Sequence, residues 1–528
     1  MRKLSLLLVV MLIFAALPSV SLAQDGGETL VTASTGDPQT LSGLYANDGN
    51  SLSVVTFIVE PLILGGENWG DQIEPALAQS WAISEDGLEY TFSLRQGVKW
   101  HDGVEFTAND VLFTYNAVLE ESNAIDWRSN LIQNGTPFQF EVVDDYTFKV
   151  ILSQPDATVL TALSIPSVPA HAFDSINVLD APFNTNPIGT GPYRFVEWNT
   201  GENVVLEAHT DYWRGTPNIE RLVVRFIDGA ENLANALLAG ELDFARIDGA
   251  DLTPFENNPD FSITYAPRDL MRYVGFNVQS PNVADPAVRR ALAIGLDRQA
   301  IINTVAAGNG ILADSLFNRS TFMYEEGRNE QYPFDPALAT QLLAEAGWTD
   351  SDGNGFLDKD GQEFNLSIAY LGSWALMQGI APIVYDNWRA IGVNVELAPL
   401  DQAAANEQIY NNTSVEKSYD AILGGWGLFG PEPDHYRNYL ANETSFFAYN
   451  NEAVIDMFQQ GRTITDPQAR LELYSQVDAL LWEDLPFIPI FQPIGVYVYR
   501  SDLILDDAEI NGTFLTGLKF PALARYAD

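Results

Sequence analysis

Four histidines, no cysteine and 71 carboxylates set the chemistry open to this chain. Without cysteine there are no thiolate metal sites, disulfides or thiol nucleophiles. His101, His171, His209 and His435 are scattered, and no two have the spacing of a metal pair. No HExxH, GxSxG or P-loop pattern occurs. Two carboxylates could still serve a secreted glycosidase. A carbohydrate-active enzyme therefore stays open as the class alternative to a binding protein.

Two stretches could meet a ligand. Residues 424 to 436 read GGWGLFGPEPDHY, with four glycines and two prolines. So many breakers predict a loop. Its rings, Trp426, Phe429 and Tyr436, either pack on the core or form a ligand platform. Gly425, Trp426, Phe429 and Asp434 are the candidate ligand residues here. Trp374 joins them because it follows a predicted strand, where loops often carry function; core packing is the competing reading.

Asp350, Asp352, Asn354 and Asp358 fall at positions 1, 3, 5 and 9 of a calcium-loop pattern, with Gly355 at position 6. Gly361 stands where the bidentate acid would be. A polar glycine turn and a structural calcium site both fit, and no other cofactor is expected. Arg289 and Arg290 read as a surface pair with ordinary salt bridges rather than an anion site.

The elements that position these residues follow from periodicity. Arg2 and Lys3, the apolar run Leu4 to Leu17 and the small residues before Gln24 read as a secretory signal over residues 1–23. That run is shorter than the roughly 20 residues a spanning helix needs. The rest is too long for one core, so two or more domains are expected. Trp81 to Ile83 and Tyr90 to Arg95 alternate about a Glu-Asp-Gly turn, a β-hairpin. Thr107 caps a helix from Ala108 to Leu119 whose inner face is Val111, Leu112, Tyr115 and Val118. Further strands and helices alternate without a repeat, which predicts an α/β or mixed α+β protein. The net charge of −44 repels nucleic acid and anionic lipid.

Several motifs stand out along the chain: PALAQSW at 75–81, EDGLEYTFSLR at 85–95, GVKWHDG at 97–103 and FTANDV at 106–111. NPIGTGPY at 186–193, AGELD at 239–243, VRRAL at 288–292 and the segment from Asp335 to Trp348 come after them. In kind and order these motifs resemble the family 5 extracellular solute-binding proteins of ABC importers, the peptide, oligopeptide and nickel receptors. The resemblance covers nearly all of the chain after the signal.

The resemblance implies a two-lobed, periplasmic-binding-protein-like fold with a hinge between lobes. The first lobe would hold residues 24–59, 187–275 and 490–528, with an extra domain at 60–186. The second would hold 276–489. Trp81, Trp100 and Asp102 would be mainly structural. In peptide-binding members the counterpart of the 424–436 stretch reads about GW..DY.DP, and its first Asp pairs with the peptide's α-amino group. Here Gly425-Trp426 and Glu432-Pro433 match, while Phe429 takes the place of that Asp. This leaves peptide binding through Glu432 or Asp434, or an oligosaccharide stacked on Trp426, Phe429 and Trp374. Only His435 lies nearby, which argues against nickel. The resemblance further implies an exported monomer, periplasmic or at the cell surface and without a lipid-attachment cysteine. Its partners would be ABC permease and ATPase subunits.

Overall fold

The structure, a computed structural model, describes residues 28–64, 73–268, 270–317, 324–410, 414, 416–427, 433–440, 444–505 and 523–527. The expected signal and Phe429 lie outside the described residues, as do the side chains of Trp426 and Asp434.

A four-stranded sheet starts the fold. Thr29–Ser34 pairs parallel with Arg221–Phe226, which continues antiparallel through Asn203–Ala208 to Tyr193–Asn199. Alternation along these strands buries Leu30, Leu206, Leu222 and Val224 with Phe57, Ile58 and Tyr193. The GTGPY turn enters this core. A Cβ on Gly189 would lie 1.7 Å from the Ile58 carbonyl oxygen, so only glycine fits. The Gly191 N–H donates to that carbonyl at 2.9 Å. His101 braces the turn: its Nδ1 accepts from the Gly189 N–H at 3.1 Å, and its Nε2 lies 3.0 Å from the Gly191 carbonyl. The proton therefore sits on Nε2.

A second four-stranded sheet runs Ala78–Ile83, Glu89–Leu94, Thr147–Ile151 and Gln139–Asp144, all antiparallel. The expected hairpin is its first strand pair. Helix Ala108–Leu119 starts with a capping box, in which Asp110 accepts from the Thr107 N–H at 2.9 Å. Val111, Tyr115 and Val118 are buried as expected, with Leu112 half-buried beside them, and they pack with Phe92, Trp100 and Phe148.

The third sheet has eight strands around the long strand Phe487–Arg500. One end of that strand pairs with Phe244–Ile247 and Phe261–Pro267. The other end pairs with Leu270–Phe276 and Gly310–Leu312. Beyond Leu270–Phe276 lie Ala421–Gly427, Asn365–Leu371 and Asn394–Leu400. Phe261–Pro267 and Leu270–Phe276 thus run in succession beside one strand. Each is antiparallel to that strand, and the crossing so formed joins two separate cores. Tyr273, Phe276, Phe487 and Phe491 belong to the large core that holds Leu292, Trp388 and Trp482. Val496 and Val498 pack instead with Leu237 and Phe255.

Two expectations are corrected. Arg289 is not a surface ion-pair residue: it is 2% exposed. It donates to the carbonyls of Val283 and Ala284 at 2.7 Å, Asp484 at 2.9 Å and Leu485 at 3.1 Å. It thereby caps the C-terminus of helix Pro467–Asp484, where Leu485 turns left-handed at φ 45°. Nor is the 424–436 stretch all loop. Residues 424–427 end strand Ala421–Gly427, and Pro433–Tyr436 is a 3₁₀ turn. Gly424 and Gly425 are there for close approach rather than for turning. A Cβ on Gly424 would meet the Tyr273 ring at 2.7 Å, and one on Gly425 the Arg272 guanidinium at 2.2 Å.

Candidate ligand-binding site at the strand crossing

Strand Leu270–Phe276, LMRYVGF, is apolar except for one arginine, and all but its first residue is buried. Arg272 is 7% exposed. Burial, with the like charge of Arg246 in support, pushes its guanidinium down to about 10. Its register places it opposite Gly425 on one side and Phe491 on the other. Gly425, having no side chain, leaves room for the guanidinium to lie across the neighbouring strand. The same guanidinium sits 4.8 Å from the centroid of the Trp374 ring, a cation–π contact. Trp374 is half-buried at the N-cap of helix Ala375–Ala390, directly after strand Asn365–Leu371.

Arg272 therefore brings two of the candidate residues, Trp374 and Gly425, together. Trp426 belongs to the same strand as Gly425, its backbone in register with Met271. Asp434 lies in the short turn Pro433–Tyr436. Tyr436, 1% exposed, packs edge-on against Phe317 at 4.8 Å between ring centroids, so it serves the core. Arg272 was missed from sequence. Its signal was a charge at the centre of an otherwise apolar strand, a placement that demands a reason.

The 350–360 loop closes on itself. Asp350 accepts from the amides of Gly353 at 2.8 Å and Gly355 at 3.1 Å. Asp352 accepts from Asn354 at 3.0 Å, and Asn354 from Phe356 at 2.7 Å. Asp358 accepts from the Ser351 amide at 2.8 Å and hydroxyl at 2.9 Å. The oxygens of the calcium-loop pattern are thus engaged by the loop's own donors. Among the described residues, no three His, Cys, Asp or Glu side chains are grouped to hold a metal.

Two lobes joined by a strand pair, with a charged and aromatic cluster at the join, make the architecture of a solute-binding protein. The chain belongs to the bacterial extracellular solute-binding proteins, family 5, whose model matches residues 72–447. It is 28% identical to the oligopeptide-binding protein AppA of Bacillus subtilis over 500 residues, 91% of this chain and 88% of that protein. It is 29% identical to heme-binding protein A of Haemophilus influenzae over 451 residues, 80% and 79% of the two chains. The solved structure of the ABC transporter substrate-binding protein CtaP from Listeria monocytogenes superposes with a TM-score of 0.85 at 28% identity. That match covers 95% of this chain and 100% of CtaP.

Proposed function

We propose that this chain is the exported receptor of an ABC importer, binding a peptide or similar oligomeric solute between its lobes. The strand crossing carries the reading. Arg272, Trp374 and Gly425 lie together beside it, which supports a site there that both lobes contact. Ligand binding would favour the closed arrangement and shift the population toward it, and the closed form would be handed to the permease. No chemistry and no cofactor are required. The permease and ATPase subunits are its partners, and the receptor itself is a monomer.

The lobe boundary is best placed at Arg268 and Pro493, where the Arg268 N–H donates to the Pro493 carbonyl at 2.8 Å between the residues of the two cores. The basic and apolar N-terminus supports export, and the lack of any cysteine supports a form without a lipid anchor on that residue.

The names of the relatives, an oligopeptide receptor and a heme receptor, leave the solute class open. Peptide is favoured over oligosaccharide by Arg272. Its guanidinium occupies one face of Trp374, which leaves at most the other face for a stacked sugar.

A thermal-shift panel tests the reading, using refolded residues 24–528. The panel sets short peptides, with free and acetylated N-termini, beside neutral oligosaccharides. A solute at about 100 times its Kd adds roughly 2.7 kcal/mol, enough to move Tm. Shifts with peptides support the proposal. Shifts with sugars alone replace peptide by oligosaccharide, and turnover of a sugar would make the chain an enzyme.

A further inference from the structure

A second contact joins parts of the molecule that share no strand. The sheet of Ala78–Ile83 and Glu89–Leu94 has no strand in common with the eight-stranded sheet. Asp156 sits between Leu152 and Val159, which pack in the core of Phe92 and Trp100. Arg462 follows Val454 and Phe458 on helix Glu452–Thr463, and these pack in the core of Leu292 and Trp388. Arg462 Nη2 donates to Asp156 Oδ2 at 2.9 Å. The next residue, Ala157, donates its N–H to the Arg462 carbonyl at 2.6 Å. That carbonyl lies in the last turn of its helix, where carbonyls lack partners within the helix. One arginine is thus held by backbone and side chain, from two successive residues of the other core.

The two sides of the contact are built differently. Asp156 is 1% exposed and is fixed by its own domain. Its Oδ1 accepts from the Thr158 N–H at 2.9 Å and hydroxyl at 2.7 Å, and its Oδ2 from Gln133 Nε2 at 3.0 Å. The Tyr90 hydroxyl donates to its backbone carbonyl at 3.1 Å. Arg462 is half-buried on the opposite side. The carboxylate therefore keeps three donors when the guanidinium leaves, and water can take the vacated position. A buried carboxylate whose arginine was its sole donor would be costly to strip. This one is a preformed socket, which suits a joint that is made and broken repeatedly.

We infer that Asp156, Ala157 and Arg462 form a latch that biases the solute-free protein toward its shut arrangement. The latch rests on the receptor reading, in which the lobes move about the strand crossing. It adds a second point of control on a different pair of cores from those the crossing joins. Its strength sets how much of a solute's binding free energy goes into closing the lobes.

The test uses residues 24–528, refolded without solute. The chain has no cysteine, so spin labels can be placed at two chosen positions alone. Glu141→Cys and Gln468→Cys put one label on each side, both at exposed residues. Pulsed electron resonance then gives the distribution of label separations. The expected wild-type distribution is dominated by the separation of the shut arrangement. In Arg462→Gln the ratio of open to shut should rise about tenfold, the scale of losing one charge-assisted hydrogen bond. Asp156→Asn should shift it likewise, and the double variant no further than the larger single effect, because both remove the same bond. Circular dichroism and Tm identify the folded variants, and if Asp156→Asn does not fold, Arg462→Gln decides. A wild type that is fully open without solute overturns the latch, and so does additive shifting in the double variant. If Arg462→Gln leaves the distribution unchanged while a peptide or oligosaccharide of the panel moves it, the latch falls and the receptor reading stands. If neither variant nor solute moves it, the latch falls together with the hinge motion that the receptor reading requires.

Discussion

Arg272 lies over the face of Trp374, 4.8 Å from the ring centroid, and neither residue belongs to the other's strand or helix. The contact ties strand Leu270–Phe276 to the start of helix Ala375–Ala390 through one guanidinium. Trp374→Ala removes the ring that holds it. We expect solute affinity to fall about tenfold, with Tm changed little because Trp374 is only half-buried. Titration calorimetry of the best solute from the panel measures this. Unchanged affinity would place Trp374 outside the site.

Gly189 allows no side chain. Its Cβ would sit 1.7 Å from the Ile58 carbonyl oxygen, a backbone atom that cannot swing aside. Gly189→Ala should cost roughly 3 kcal/mol of stability, near the upper end of overpacking effects. Urea denaturation of variant and wild type reads it directly. A loss below about 1 kcal/mol would mean that the turn shifts freely.

Asp478 is fully buried between Arg328, 2.8 Å away, and Ser315, 3.3 Å away. Burial pushes its carboxyl up to about 7; Arg328 opposes the rise and Glu325 adds to it. The folded state thus holds this proton more tightly than the unfolded chain does. The stability it contributes is full below the unfolded carboxylate value near 4 and is lost as pH rises through about 7. His101 acts with the opposite sign. Burial holds it down to about 4, so its contribution is present above the unfolded value near 6.5 and is lost as pH falls. Asp478→Asn removes the first trend and leaves the other groups, His101 among them, as they were. Its stability relative to wild type should therefore climb steadily from pH 4 to pH 7, and chemical denaturation at several pH values shows it. A pH-independent difference would mean that Asp478 does not titrate in this window.

The 350–360 loop should ignore calcium. Asp350 already accepts from two amides, and Asp352, Asn354 and Asp358 are engaged in the same way. Calcium or EDTA at millimolar concentration should leave Tm where it was. Asp350→Ala should lower stability by about 1 to 2 kcal/mol, because two amides lose their acceptor. A calcium-dependent rise in Tm that the variant lacks would restore the metal reading.

Much of the fold was legible because periodicity and capping act locally. Thr107 and Asp110 announce their helix within four residues, and the turn at 85–87 announces its hairpin. Long-range contacts were not legible. Gly424 and Gly425 look like loop residues until Tyr273 and Arg272, some 150 residues earlier, are laid across them. Arg289 looks like a surface charge until the end of helix Pro467–Asp484 arrives with its open carbonyls. For the candidate site, Trp374 and Gly425 were named from sequence but Arg272, the residue that touches both, was not. Its local signal, a charge inside the apolar run LMRYVGF, marks it as buried but does not say which distant residues it meets.

The long strand Phe487–Arg500 has a consequence for how the molecule is made. It is the shared centre of the eight-stranded sheet and reaches both of the cores that meet there, yet it comes within the last tenth of the chain. A chain produced from its N-terminus can complete the sheet of Ala78–Ile83 and its neighbours early, since every strand of that sheet lies before residue 152. The eight-stranded sheet must wait. Until its central strand emerges, Leu270–Phe276 and Phe261–Pro267 have an open edge ready to pair with the wrong partner. The segment that joins the lobes is also the one whose arrival ends the chain's most aggregation-prone interval.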